Sequence, residues 1–450
     1  MRLKARRVVD VKSVQTESWF YLKGLLRGVF IKRNSYRTAI LASLLLVLGG
    51  VRSTLPSPSR VNGALNIGFA TSIYGEVASG WDVTLDCPGD TEGSRQSALR
   101  VTFSSEARRS SGFDALIFYG PDLANSIRTK ASFLTRNWPP LLLSSRNVKV
   151  YFTEEPPYSS LINESSPIEL DPAMMDKFSV YAGFHPGQLL SHQGHVCYSG
   201  WGLRYWAVDT VVDRHWSAVW PKPLAYSQRE SEYEAVWVQS NCAEPNQLGN
   251  AGPSPRVPIL KALMRSLKIA SFGQCLHNRD FPGNLSKFSG FGNELAHIQD
   301  AYLRKFKFAI ALENNVCDFY MSEKIWKALA LGLIPVIFGS PIVSTVLPSS
   351  DSYIDLRDFR SIVELSAYMK KVAEDEDLFN TFFEWRTRPL SSLNVGFRDL
   401  WSSAWRSKDE FKCCIARGVA NSLRMKRQKL SIPGLHCQSY NWTSLKLDTR

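Results

Sequence analysis

Short apolar runs recur along the first half of the chain, at LNIGFA (65–70), LRVTFS (99–104), DALIFYG (114–120), NVKVYFT (147–153) and FSVYAGF (178–184). They are rich in Val, Ile and Phe and mostly do not alternate with polar residues, which predicts strands buried on both faces of a parallel sheet. A second series follows at EAVWVQS (234–240), LKIASFG (267–273), FKFAIAL (306–312) and IPVIFG (334–339). Segments such as RVPILKALMRSL and SEKIWKALALG lie between these runs and carry helical spacing, so the alternation predicts βαβ units with right-handed crossovers. Residues 185–233 separate the two series; they are rich in Gly, His, Trp and Ser and show no clear period. The expected fold is α/β, with two doubly wound, Rossmann-like halves at 65–233 and 234–395, a tail at 396–450, and a ligand in the cleft at the carboxyl ends of the strands.

A chain of 450 residues with 44% hydrophobic and 12% aromatic content can bury a sizeable core, which excludes a disordered protein. Its net charge of +13 resembles a nucleic-acid signature only until it is divided. Residues 1–37 hold ten Lys or Arg against Asp10 and Glu17, leaving +5 for the other 413 residues. No nucleic-acid partner is expected. The run TAILASLLLVLGGV (38–51) is uncharged for 14 residues, short of the roughly 17–25 that span a bilayer, although flanking Arg37 and Arg52 can snorkel. A signal-peptide core and a buried helix are the competing readings. The 37-residue basic stretch ahead of the run is long for a cleaved signal, and Pro56 and Pro58 open a stem at 52–64. The expectation is a signal anchor with a cytosolic N-terminus and a lumenal body. Sequons at Asn163, Asn284 and Asn441 fit a lumenal body. The eight cysteines form no CxxC pair, which favours disulfides over zinc; Cys242 with Cys275, and Cys413 or Cys414 with Cys437, are the first pairings expected.

The junction ENNVCDFYMSEK (313–324) places many polar groups where a strand passes to a helix. Ser322 is a predicted N-cap and Gly332 a predicted C-terminal stop. Lys324 then falls in the first helical turn, where a cation opposes the helix dipole unless an anion docks there. Backbone N–H groups and an ammonium suit a phosphate or diphosphate, and Glu313 and Glu323 are candidates to accept hydrogen bonds from sugar hydroxyls. The alternative is an ordinary polar loop with a solvated lysine.

The stretch KFKFAIALENNVCDFYMSEKIWKALALGLIPVIFGSP (305–341) resembles the donor-binding motif of the α1,3/α1,4-fucosyltransferases, glycosyltransferase family 10. The likeness continues through SYIDLRDFRSIVELSAYMKKVAEDEDLFNTFFEWR (352–386) and extends back to VQSNC (238–242) and LKIASFGQCLHNRD (267–280). It implies a type II Golgi membrane enzyme of the GT-B fold that uses GDP-fucose, inverts the anomeric centre and fucosylates a GlcNAc hydroxyl (α1,3 linkage) of a glycoprotein N-glycan. Asn314, Tyr320, Glu323 and Lys324 fall on the family's nucleotide-sugar contacts, and Arg256 on its diphosphate arginine. Glu155, in NVKVYFTEEPPYSS, aligns with the catalytic base, with Glu154 its neighbour; a charged loop ahead of a proline turn is the plainer reading of EEPP. No cofactor is required for the chemistry, with a divalent cation such as Mn2+ at most stimulatory. His185, His192 and His195 read as loop histidines, and Asp375 and Asp377 as a solvated helix face. Ala270 stands where the family has Asp. Another nucleotide sugar as donor, or an inactive lumenal glycan-binding protein, are the alternatives.

Overall fold

The structure is a computed structural model that describes residues 64–71, 73, 78, 81–88, 98–105, 112–129, 142, 146–154, 172–183, 195–198, 217, 220–240, 242, 256–283, 294–403 and 408–424. The basic stretch at 1–37, the run at 38–51 expected to be an anchor, Glu155 and the three sequons at Asn163, Asn284 and Asn441 lie outside the described residues. Among the described residues no helix is long and apolar enough to cross a membrane.

The first sheet is built from β1 (Leu65–Phe69), β2 (Val83–Cys87), β3 (Leu99–Ser104), β4 (Ala115–Tyr119), β5 (Val148–Thr153), β6 (Val180–Gly183) and β7 (His195–Tyr198), in the spatial order β2-β3-β1-β4-β5-β6-β7. Every pairing is parallel except β2 with β3. Strands β4 and β6 are buried at every position, as their unbroken apolar runs require, whereas the antiparallel edge strand β2 alternates exposed and partly buried residues. That alternation within VTLDC is why an apolar-run criterion passes over it. Helices α1 (Gly120–Thr129) and α2 (Pro172–Met175) belong to one face, where Leu116, Phe118, Leu123, Tyr151, Phe178 and Tyr181 pack together.

The second sheet comprises β8 (Ala235–Trp237), β9 (Ile269–Ser271), β10 (Phe308–Leu312), β11 (Ile334–Phe338) and β12 (Ile354–Asp355), all parallel, in the order β12-β11-β10-β8-β9. Its helices are α3 (Arg256–Leu263), α4 (Glu294–Leu303), α5 (Glu323–Leu331), α6 (Val343–Val346), α7 (Ile362–Glu374), α8 (Glu376–Thr381) and α9 (Val395–Ser403). The chain enters at β8, moves to β9 on one side, then returns to β10 on the other. The order therefore reverses between β8 and β10, and a crevice opens at their carboxyl ends.

The stretch after residue 395 is more than a tail. Helix α10 (Lys408–Arg424) returns to the first sheet, and its Phe411, Ile415, Ala416 and Val419 join Ile67, Phe69, Val101, Ile117, Val150 and Phe152 in one core. Cys87 on edge strand β2 is bonded to Cys413, and Cys197 on the opposite edge strand β7 to Cys414. These pairings replace the expected bond from Cys413 or Cys414 to Cys437, while Cys242–Cys275 forms as expected. Two neighbouring cysteines reaching both edges constrain the sheet. The Cα separations of 5.3 and 5.9 Å, with one ~3.8 Å step between neighbours, hold the two edges within about 15 Å. Seven flat strands would set them roughly 29 Å apart. The sheet therefore curls around α10, which touches β1, β2, β3, β5, β6 and β7.

The bridges close sequence separations of 326 and 217 residues, for which chain entropy gives about 5–6 kcal/mol each. Replacing both Cys413 and Cys414 by Ala is expected to lower unfolding free energy by at least ~4 kcal/mol in urea titration. Loss of less than ~1 kcal/mol would show that α10 does not hold the first sheet closed.

Candidate active site

Both helices that leave the crevice begin with a cation. Arg256 is the first residue of α3, after β8, and Lys324 lies in the first turn of α5, after β10. Arg256 is 5% exposed and close enough to Lys324 for its charge to act on the ammonium. The structure thus brings together two residues 68 positions apart in the sequence.

Helix α5 starts where the capping pattern places it. Ser322 is extended, and its hydroxyl accepts from the Lys324 N–H at 3.4 Å. Gly332 ends the helix in the left-handed region (φ 76), donating its N–H to Ala328 and Leu329 carbonyls. A side chain at Gly332 would also press on Pro223, 2.9 Å from an added Cβ.

The junction is organised by Glu313, which has no exposure. Its Oε1 accepts from the Ser322 N–H at 2.6 Å, and Lys324 Nζ lies 3.9 Å from its Oε2. The same ammonium donates to Ser322 Oγ at 2.9 Å and to Glu323 Oε1 at 3.2 Å. Glu313 is wholly buried, with one oxygen on the Ser322 N–H and the other making no hydrogen bond among the described residues, so it is not exposed to a sugar in the way the sequence reading expected. Gly339, at the end of β11, leaves the space it fills: an added Cβ would stand 2.7 Å from Glu313 Cγ. Burial pushes the Glu313 carboxyl above its ordinary range, against the opposing pull of Lys324. Burial, the largest single influence, acts to raise Glu323, but the Lys324 charge together with hydrogen bonds from its own N–H, Lys324 and Ser322 holds the group low. For Lys324, burial and Arg256 favour the neutral amine, while Glu323 and Glu313 together keep it charged.

The rest of the junction is held by short contacts and some strain. Phe319 sits at φ 60, uncommon for a bulky residue and costing roughly 1–3 kcal/mol. Its N–H donates to Ser340 Oγ at 3.2 Å, and the Ser340 carbonyl is in turn held by Arg357 at 3.1 Å. Tyr320 is 4% exposed, and its N–H donates to the Cys317 carbonyl. Cys317 is in a disulfide, which gives that residue a role the sequence did not suggest. Asn314 holds a buried amide oxygen with no hydrogen bond among the described residues.

Three further readings resolve here. Ala270 is fully buried in the apolar cluster of Val236, Phe272, Phe281 and Phe306, so an aspartate at that place would be desolvated. Asp375 caps α8 by accepting from Leu378 N–H at 3.0 Å, and Asp377 lies exposed in its first turn. Of the three histidines read as loop residues, His195 lies in β7; His185 and His192 are outside the described residues. Among the described residues no group of three or more His, Cys, Asp or Glu could hold a metal ion.

The stretch that contains Arg256, Asn314, Tyr320, Glu323 and Lys324 matches the profile of Glycosyltransferase family 10 (fucosyltransferase) C-term over residues 228–431. Residues 228–431 are thus similar to glycosyltransferase family 10 over a little under half of the chain. The family segment is 33% identical over 222 residues to the mouse protein named GDP-fucose protein O-fucosyltransferase 3, covering 45% of this chain and 43% of that one. It is 31% identical over 206 residues to the human protein of the same name, covering 43% and 40%. The match thus spans about two-fifths of the length of these relatives. Among solved structures, an α1,3-fucosyltransferase with GDP is similar at a TM-score of 0.46 and 15% identity, covering 80% of this chain and 90% of that one.

Glu313→Ala leaves the Ser322 N–H without an acceptor and is expected to cost about 1–3 kcal/mol in urea unfolding. Glu313→Gln keeps that acceptor. A carboxyl whose folded pKa is raised binds its proton more tightly when folded, so stability falls as pH rises above its ordinary 4.5. The Gln variant is expected to gain on the parent progressively from pH 4.5 to 8. A difference that moves the other way means that Lys324 stabilises the ionised carboxylate by more than its burial costs.

Proposed function

We propose that this chain is an inverting fucosyltransferase that moves L-fucose from GDP-fucose to a hydroxyl group of a glycoprotein. The observation that carries the reading is the convergence of Arg256 and Lys324 on the crevice between β8 and β10, inside the family 10 segment. Backbone N–H groups of α5, its dipole and two cations suit a diphosphate better than any neutral ligand. Glu323 and the unpaired Asn314 amide oxygen offer acceptors for ribose and fucose hydroxyls, and Tyr320 lines the fucose end.

In this reading Glu155 accepts the proton of the acceptor hydroxyl as its oxygen bonds to the anomeric carbon. The bond from that carbon to the β-phosphate oxygen breaks, GDP departs with the electron pair, and Lys324 and Arg256 offset the charge that develops on it. The configuration inverts from β to α. The chemistry needs no metal, and a divalent cation such as Mn2+ would be stimulatory.

Two acceptors are supported by different observations. The relatives named GDP-fucose protein O-fucosyltransferase 3 favour a hydroxyl of the polypeptide itself. The likeness of residues 305–341 to α1,3/α1,4-fucosyltransferases favours a GlcNAc hydroxyl of an N-glycan, joined in an α1,3 linkage. The apolar run at 38–51 behind ten basic residues supports a single-pass type II protein of the Golgi membrane with its catalytic part in the lumen.

Lys324→Ala is expected to weaken GDP binding at least about tenfold by calorimetry, as loss of one charged contact implies. Unchanged affinity would remove the diphosphate from this helix. Glu155→Gln should keep GDP affinity and lose transfer by on the order of 10²–10⁴-fold; wild-type turnover would place the base elsewhere. Incubating the chain with GDP-fucose and either folded protein acceptors or free N-glycans, with mass spectrometry of the product linkage, separates the two acceptors. A donor screen in the same assay tests other nucleotide sugars, and glycan binding without GDP affinity would mark an inactive lectin-like protein.

A further inference from the structure

Three arginines crowd the carboxyl end of α5, away from the crevice. Arg229, 7% exposed, donates to the carbonyls of Gly332 at 2.9 Å, Phe306 at 3.0 Å, and Leu224 and Arg304 at 2.9 Å each. Arg386, 6% exposed, donates to the carbonyls of Ala330 at 3.1 Å, Pro221 at 3.0 Å and Leu329. Arg304 donates to the Lys222 carbonyl. Aromatic rings cover the two buried guanidinium groups, Phe379 and Phe383 at Arg229, Trp220 and Trp385 at Arg386. Among the described residues none of the three pairs with a carboxylate; every acceptor is a neutral carbonyl. Burial and mutual repulsion push Arg229 down to about 10 and Arg386 down to about 9, and burial lowers Arg304; a guanidinium does not deprotonate at neutral pH.

Satisfying the last carbonyls of a helix explains the hydrogen bonds but not the charge. A helix terminus presents about half a negative charge, and three whole positive charges stand against it. Uncompensated charges out of water are costly, and the compensation must lie elsewhere. The other end of this nine-residue helix is about 13 Å away and carries Ser322, Glu323 and Lys324.

We propose that Arg229, Arg304 and Arg386 act through α5 as affinity-setting residues for the donor diphosphate, holding its site at a positive potential from behind. This inference rests on the donor-binding reading of Lys324. At roughly 15 Å and an effective dielectric near 20, each buried charge changes the affinity for one negative charge by about fivefold. A purely structural clamp would instead loosen α5 and weaken charged and uncharged ligands alike.

The test is calorimetry on the full chain with GDP and with guanosine, for the parent, Arg386→Gln, Arg386→Lys and Arg304→Gln. Because a diphosphate carries at least two negative charges, Arg386→Gln is expected to weaken GDP at least about fivefold and the half-buried Arg304→Gln at least about threefold, with guanosine changed less than twofold. Arg386→Lys keeps the charge and should keep GDP affinity. Arg304→Gln carries the test if the Arg386 variants do not fold. Equal losses for GDP and guanosine, or an unchanged GDP affinity, overturn the inference alone. A parent that does not bind GDP overturns the donor reading and this inference with it.

Discussion

The Glu313 carboxylate, wholly out of water at the end of β10, is the contact on which the geometry of the crevice depends. One oxygen holds the Ser322 N–H and so fixes where α5 begins; the other faces the Lys324 ammonium. A buried carboxylate without these partners would be expensive, which ties the start of the helix, the lysine and the strand end into one arrangement. Neighbouring features follow from it. Gly339 must lack a side chain because Glu313 occupies that space, and Lys324 is held between two carboxylates rather than loose in solvent.

Around that contact the second sheet does conventional work. Its order reverses between β8 and β10, so α3 and α5 depart from adjacent strands and aim their first turns at one crevice. The far end of α5 is fixed as firmly as the near end, by Gly332 in the left-handed conformation and by two arginines that take up its last carbonyls. A helix held at both ends presents its N–H groups in one direction. Such preorganisation is what a site that must stabilise charge on a leaving group requires. The first sheet reaches rigidity differently, by curling around α10 under two adjacent disulfides.

Much of this was legible because it is local. All nine long apolar runs became strands, since a strand buried on both faces must be apolar throughout. The N-cap Ser322 and the stop at Gly332 were readable because capping chemistry depends on a few consecutive residues. Three strands were missed: β2 alternates because one face meets solvent, β12 is only two residues long, and β7 is four residues within the stretch 185–233 that shows no clear period. Helix α10 went unread because its apolar face serves a core built 200 or more residues earlier, and nothing adjacent in the chain announces that.

The sequence by itself determined the α/β class, nine of the twelve described strands, the family likeness of residues 305–341 and several of the residues around the crevice. These follow from periodicity, capping and motif, all of which act over a few turns of chain. Only the tertiary structure decided that Glu313 is wholly buried and bonded to the Ser322 N–H, because burial depends on what packs from outside. It also decided that Cys413 and Cys414 close the two edges of the first sheet. Equally, it placed Arg256 near Lys324 and, behind the helix, three arginines that meet no carboxylate among the described residues. Electrostatic interaction depends on distance through space, and distance along the chain carries no record of it.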